Sequence, residues 1–155
     1  MRIESSFTVD STPDRVFAYL LDVNQVVGCL PGAEISEVVD SQTFRGRLKV
    51  KVGAVQVTYQ GTARIVDMQE EETSATVTVE GDGREVGGQG TVRARLLLTV
   101  AAEGESASKV TLDTDLTVSG RVAQFGRGAI EDVSRRLMTK MGQCIGERLK
   151  AAAAG

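Results

Sequence analysis

The sequence predicts one α+β domain, in which a curved antiparallel sheet of about seven strands closes on a long C-terminal helix. Two short helices near the N-terminus complete it. Three observations carry this reading. Apolar and polar residues alternate through most of residues 2–118, the period of a half-buried strand. The polar breaks between the alternating runs are short, as in a meander. From Arg127 onward the apolar period becomes helical. A sheet with one apolar face has to cover it, and the last helix is the only element long enough.

The elements follow in order. Ile3, Ser5, Phe7 and Val9 share one face of a first strand. Thr12 suits an N-cap and Pro13 the first helical position. Val16, Phe17, Leu20 and Leu21 then keep helical spacing, so a helix is expected from about Pro13 to Asp22. A second short helix is expected over Val23–Leu30 and is broken by Pro31 and Gly32. Pro31 fixes φ and Gly32 tolerates a positive φ, so a tight turn leads into the next strand. Leu48, Val50 and Val52 alternate with Arg47, Lys49 and Lys51, and Gly53-Ala54 reads as a turn. Val55, Val57, Tyr59, Gly61, Ala63 and Ile65 share the next phase. Glu70, Glu71 and Glu72 mark another turn, after which Ala75, Val77, Val79 and Gly81 continue the pattern. The glycine-rich stretch Gly81–Gly90 reads as a bend in the sheet or as room for a ligand ring. It lacks the lysine of a phosphate-binding loop, and no helix opens after it. Val92, Ala94, Leu96, Leu98 and Val100 alternate next, then Val110, Leu112, Thr114, Leu116 and Val118, with a polar turn from Glu103 to Ser108 between them. Ile130, Val133, Leu137, Met141, Cys144 or Ile145, and Leu149 form the stripe of the last helix. Arg127–Lys150 spans ~36 Å. Residues 1–150 read as a single domain and residues 151–155 as a featureless tail.

Composition narrows the function. The 155 residues carry a net charge of -3. That balance argues against nucleic-acid binding, which needs a basic face. There is no histidine, the commonest general base and metal ligand. Cys29 and Cys144 lie far apart and form no CxxC pair, which fits a reduced, cytoplasmic setting. The first residues, MRIESSFTVD, lack the apolar core of a secretory signal. No run approaches a membrane span.

The acids Glu34, Asp67, Glu80 and Asp113 are not placed two at a time toward the interior, and Glu131 and Asp132 lie off the helical stripe. No nucleophile–base pair is visible. A non-enzymatic role is therefore expected, with no metal and no covalent cofactor. The expected site is an apolar cavity between sheet and helix. Ile130, Val133, Leu137, Met138 and Met141 of the last helix would line one wall, with Phe125 beside them. Phe17, Leu20, Leu21, Val26 and Leu30 would close the other. Val79, Gly81, Leu96 and Leu98 would form the floor, and Tyr59 would supply a hydroxyl. Methionine adapts to irregular apolar ligands. Aromatic content of only 4% favours an aliphatic chain over stacked rings. Arg45, Arg47, Lys49 and Lys51 fall on one outward face, and Arg93 and Arg95 are expected to face Asp113 and Asp115 across the sheet. A docking or assembly factor with a filled core and no ligand is the alternative reading. An enzyme of the cyclase or hydratase kind would need a polar group deep in the pocket.

The element order resembles the START-like (SRPBCC), or helix-grip, superfamily. Within it, Leu30-Pro31-Gly32-Ala33-Glu34 looks like the LPGAE signature of the CoxG proteins, the G subunits of carbon monoxide dehydrogenase. Gly81-Asp82-Gly83 with Gly87-Gly88-Gln89-Gly90 is similar to that family too, as is the run from Gly120 to Gly128. The resemblance implies an accessory partner of a carbon monoxide dehydrogenase-type molybdenum hydroxylase. It implies an isoprenoid quinone, menaquinone-like, as exchangeable ligand in the grip cavity, and a link to the membrane quinone pool at the inner face of the cell membrane. Members often carry a C-terminal linker and an apolar or amphipathic segment, through which peripheral membrane contact is implied. Ending at Ala151–Gly155, this chain is a short member or a truncated one.

Overall fold

The computed structural model describes residues 1–154. Seven strands form one antiparallel sheet: β1 (Arg2–Val9), β2 (Ala33–Val38), β3 (Thr43–Val52), β4 (Val55–Glu70), β5 (Ser74–Glu85), β6 (Thr91–Glu103) and β7 (Ala107–Val118). Their order is β1-β7-β6-β5-β4-β3-β2, so only β1 leaves the meander, crossing to the far edge to pair with β7. Between β1 and β2 stand α1 (Pro13–Leu21) and α2 (Val23–Val27). After β7 a 3₁₀ turn (Arg121–Phe125) leads into α3 (Gly126–Ala154), which covers the concave face. This is the helix-grip arrangement expected from the sequence.

Local sequence explains these elements. Pro13 sits in the first turn of α1 as expected, but the Thr12 hydroxyl makes no capping bond to the backbone. It serves the Asp14 carboxylate instead, and that hydrogen bond lowers the Asp14 pKa. α2 stops at Val27, short of the expected Leu30, because Gly28–Leu30 fold back in turn hydrogen bonds. Gly32 has φ +82°, and a Cβ there would lie 2.3 Å from the Lys49 carbonyl. Only glycine lets this turn lie against β3, where Lys49 N–H donates to the Gly32 carbonyl at 2.9 Å. The tail expected at 151–155 is helical through Ala154, consistent with alanine's high helix propensity. Gly155 lies outside the described residues.

Two clusters fill the ends of the grip. The first gathers Val9, Val16, Val100, Val110, Leu112 and Ile145, all almost fully buried, under α1 and the last turns of α3. The second gathers Ile3, Val52, Val57, Tyr59, Val122 and Ile130 beneath the start of α3.

The cysteines differ from expectation. Cys29 and Cys144, 115 residues apart in sequence, form a disulfide. Sequence separation says nothing about distance once α3 folds back over the end of α2. The charge pairing on the outer face differs too. Arg95 lies opposite Asp115 in the register, yet its ion pair is to Glu80 at 2.6 Å. Asp113 is taken by Arg2 of β1, with Arg2 Nε at 2.8 Å. That hydrogen bond holds the Asp113 carboxyl below its usual range. Alternation within each strand does not reveal that β1 pairs with β7, which is what brings Arg2 there.

Candidate functional site: the concave face under the last helix

The two filled clusters leave a middle stretch in which inward-facing apolar side chains stay half-buried: Leu48 of β3, Ile65 of β4, Val79 of β5, Leu96 of β6, and Leu137 and Met138 of α3. Ile65, Val79, Leu96 and Met138 pack against the first cluster, and Leu48 and Leu137 against neither. Small residues occupy the same part of the sheet. Gly46, Gly61 and Gly83 are in register across β3, β4 and β5, as are Ala63, Gly81 and Ala94 across β4, β5 and β6. At Gly61 a Cβ would lie 1.8 Å from the Asp82 carbonyl, so β4 and β5 bend closely together there. At Gly81 an added Cβ would meet nothing nearer than a carbonyl at 3.6 Å, so the face stays low at that point.

The expected site residues fall into four groups. Phe17, Leu98 and Met141 are buried in the first cluster, with Leu20, Leu21, Val26, Leu30, Val79, Leu96 and Met138 half-buried around it. Tyr59 and Ile130 are buried in the second, with Val133 packed against it. Gly81 and Leu137 are half-buried and belong to neither cluster. Phe125 stands apart: it is 39% exposed, and its ring lies over Gly53 at the β3–β4 turn. The 3₁₀ turn carries Val122 inward and Phe125 out.

Next to the Pro31-Gly32 turn a groove of about 260 Å³ lies between α3 and the end of β3 that runs past its pairing with β2. Val50, Val133 and Leu137 contribute apolar walls, and Lys49, Lys51, Arg136 and Lys140 stand around it. The segment above it is fastened to α3 at several points. The disulfide joins Cys29 to Cys144. Arg148 Nη1 donates to the Tyr19 hydroxyl at 3.1 Å and to the Gln25 carbonyl at 3.2 Å, and Nη2 donates to the Gly28 carbonyl at 3.4 Å.

A polar group missed from the sequence lies at the other end. Glu85 points inward, with its side chain 3% exposed, and Arg121 Nε donates to it at 2.6 Å. Gly88, Gly90 and Gly120 crowd its carboxylate so closely that a Cβ at Gly88 would lie 2.6 Å from it. Tyr59 is its partner across β4–β5. The Tyr59 hydroxyl is buried and has no hydrogen-bond partner among the described residues. Burial, and then the neighbouring Glu85 carboxylate, push the Tyr59 phenol up, so it is a neutral donor. The acids weighed from the sequence lie elsewhere: Glu80 and Asp113 in ion pairs on the outer face, Glu34 and Asp67 exposed. Among the described residues no cluster of three potential metal ligands occurs, and no helix is long and apolar enough to cross a membrane.

The family model for CoxG, the G subunit of carbon monoxide dehydrogenase, matches residues 5–150. No curated protein matches the chain. Among solved structures, a conserved protein from Geobacillus kaustophilus superposes with a TM-score of 0.82 at 19% identity, over 98% of this chain and 97% of its own. The Zhui aromatase/cyclase from Streptomyces sp. R1128 gives 0.66 at 15%, over 97% and 93%. A START superfamily protein from Mycobacterium smegmatis gives 0.61 at 10%, over 97% and 98%. These likenesses establish the fold.

Proposed function

The chain belongs to the CoxG family of carbon monoxide dehydrogenase, and from that premise we propose a non-enzymatic accessory protein that binds an isoprenoid quinone and links a carbon monoxide dehydrogenase-type enzyme to the membrane quinone pool. One observation carries the binding half: the half-buried apolar stretch from Leu48 and Ile65 through Val79 and Leu96 to Leu137 and Met138. Its side chains are aliphatic or thioether, which suits a prenyl tail. Each methylene buried there contributes ~0.8 kcal/mol. Roughly ten such carbons offset the ~8 kcal/mol that separates micromolar binding from the standard state, before ordering costs. The quinone ring would lie toward Tyr59 and its tail along α3. The partner half rests on the family alone.

Organic extraction of protein purified from its native cells, followed by mass spectrometry, tests the ligand. A quinone is expected in the extract, and short-chain menaquinone or ubiquinone analogues are expected to raise the melting temperature. A clean extract together with no thermal shift would remove the quinone from the account. Capture of the molybdenum hydroxylase on the immobilised chain tests the partner.

A further inference from the structure

The groove between α3 and the end of β3 stands out by its charge. The chain as a whole carries -3. Yet four cations and no carboxylate line this groove: Lys49 and Lys51 from β3, Arg136 and Lys140 from α3. A larger cleft on the convex face gives the contrast, because Arg64, Arg93 and Arg95 stand there among Glu80, Asp82 and Asp115. Around the groove, Lys49, Lys51 and Lys140 enter no ion pair among the described residues. Arg136 meets Asp132 at 3.3 Å, but both side chains are exposed, so that pair is weak and exchangeable. Like charges gathered without a counter-ion repel one another, and an anion bound among them relieves that repulsion. The floor is apolar, with Val50, Val133 and Leu137 half-buried. A volume of about 260 Å³ lies below the ~300–1,000 Å³ of most small-molecule pockets, so a single unbranched chain fits better than a fused ring system. Three of the four cations are lysines, compact charges on flexible stems that adapt to a carboxylate or a phosphate alike.

We propose that this groove is a binding site for an anionic single-chain amphiphile. Its carboxylate or phosphate head sits among Lys49, Lys51, Arg136 and Lys140, and its chain lies over Val50, Val133 and Leu137. A quinone is neutral and gains nothing from four cations, so this site stands or falls independently of a quinone in the interior.

Methyl NMR titrations of the whole chain at neutral pH test this, using decanoate, decyl phosphate and decyltrimethylammonium, each below its micelle concentration. Both anions are expected to shift the methyls of Val50, Val133 and Leu137 saturably, and to bind at least about tenfold more tightly than the cation of the same chain length. Raising the salt from about 0.05 M to about 0.5 M should weaken the anions several-fold. Lys51→Glu combined with Lys140→Glu should weaken them about tenfold or more, while Lys109→Glu, far off on β7, should leave them unchanged. All three lysines are exposed, so these variants are expected to keep the melting temperature of the parent. Equal binding of anions and cation, or anion binding that the double variant leaves unchanged, overturns the site. Binding to phosphatidylglycerol vesicles without saturable binding of the monomeric anions also overturns it, and makes this face a membrane contact instead.

Discussion

Arg121 and Glu85 are an unequal pair: the guanidinium is 54% exposed and the carboxylate 3%. Loss of the exposed partner is therefore the more damaging. Arg121→Ala strands a buried carboxylate and should cost about 3 kcal/mol. Glu85→Gln leaves the arginine to water and should cost about 1–2 kcal/mol. Urea unfolding of the two variants checks the order, and the reverse order would mean that the pair contributes little. Tyr59 gives a pH signature. The folded protein holds the phenol proton more tightly than the unfolded chain does. Its contribution is therefore complete below the unfolded value of about 10 and lost as pH rises through the folded one. Tyr59→Phe should flatten the alkaline limb of the stability curve; an unchanged limb would place its cause elsewhere. Glu85 was within reach of the sequence. The inward phase of Ala75, Val77, Val79 and Gly81 runs on through Gly83 to Glu85. Taking the glycine run only as a bend or a ligand space ends that phase too early. Arg121 gives no such signal, because it lies in a 3₁₀ turn with neither strand nor helix period.

At the scale of elements, α2 buries none of its residues fully. What holds it and the following turn is the Cys29–Cys144 bond and the Arg148 hydrogen bonds. Cys144→Ser should cost about 2–4 kcal/mol. It should also raise amide exchange across residues 23–32 more than in β6 and β7. Uniform exchange changes would contradict a local fastening. The approach of α3 to β1 depends on Gly142, where a Cβ would lie 2.6 Å from Cγ of the Phe7 ring and 3.0 Å from its Cβ. Gly142→Ala gains about 1 kcal/mol of helix propensity. The root of the Phe7 side chain cannot swing aside, so overpacking of about 1–3 kcal/mol outweighs that gain. The expected net result is a lower melting temperature. The main strands and α3 are legible in the sequence because their periods are clean. β2 is not: it lies at the sheet edge, only Ala33 and Ile35 are half-buried, and a register shift at Ile35/Glu37 breaks its alternation. The disulfide is not legible either, since it depends on where α3 lies rather than on any local pattern.

At the scale of the molecule, a strand, two short helices, a meander and a long helix leave little choice but a sheet gripping that helix. The order cannot tell a filled grip from an open one, because the same alternation serves both. The structure shows two buried clusters with half-buried apolar side chains between and around them, and two substitutions on one helix face exploit the difference. Met141 is 5% exposed, and Met141→Glu should unfold the protein or cost more than about 4 kcal/mol. Leu137 belongs to neither cluster, so Leu137→Arg should cost less than about 1.5 kcal/mol while abolishing ligand binding. Equal destabilisation by both would speak for a continuous core and for the docking factor.

The most direct test is a methyl NMR titration of the whole chain with a short-chain menaquinone. The account predicts saturable shifts at the methyls of Val79, Leu96, Leu137 and Met138, with Val100, Val110 and Ile145 little changed. Shifts confined to outward methyls such as Leu97, or none that saturate, would contradict it.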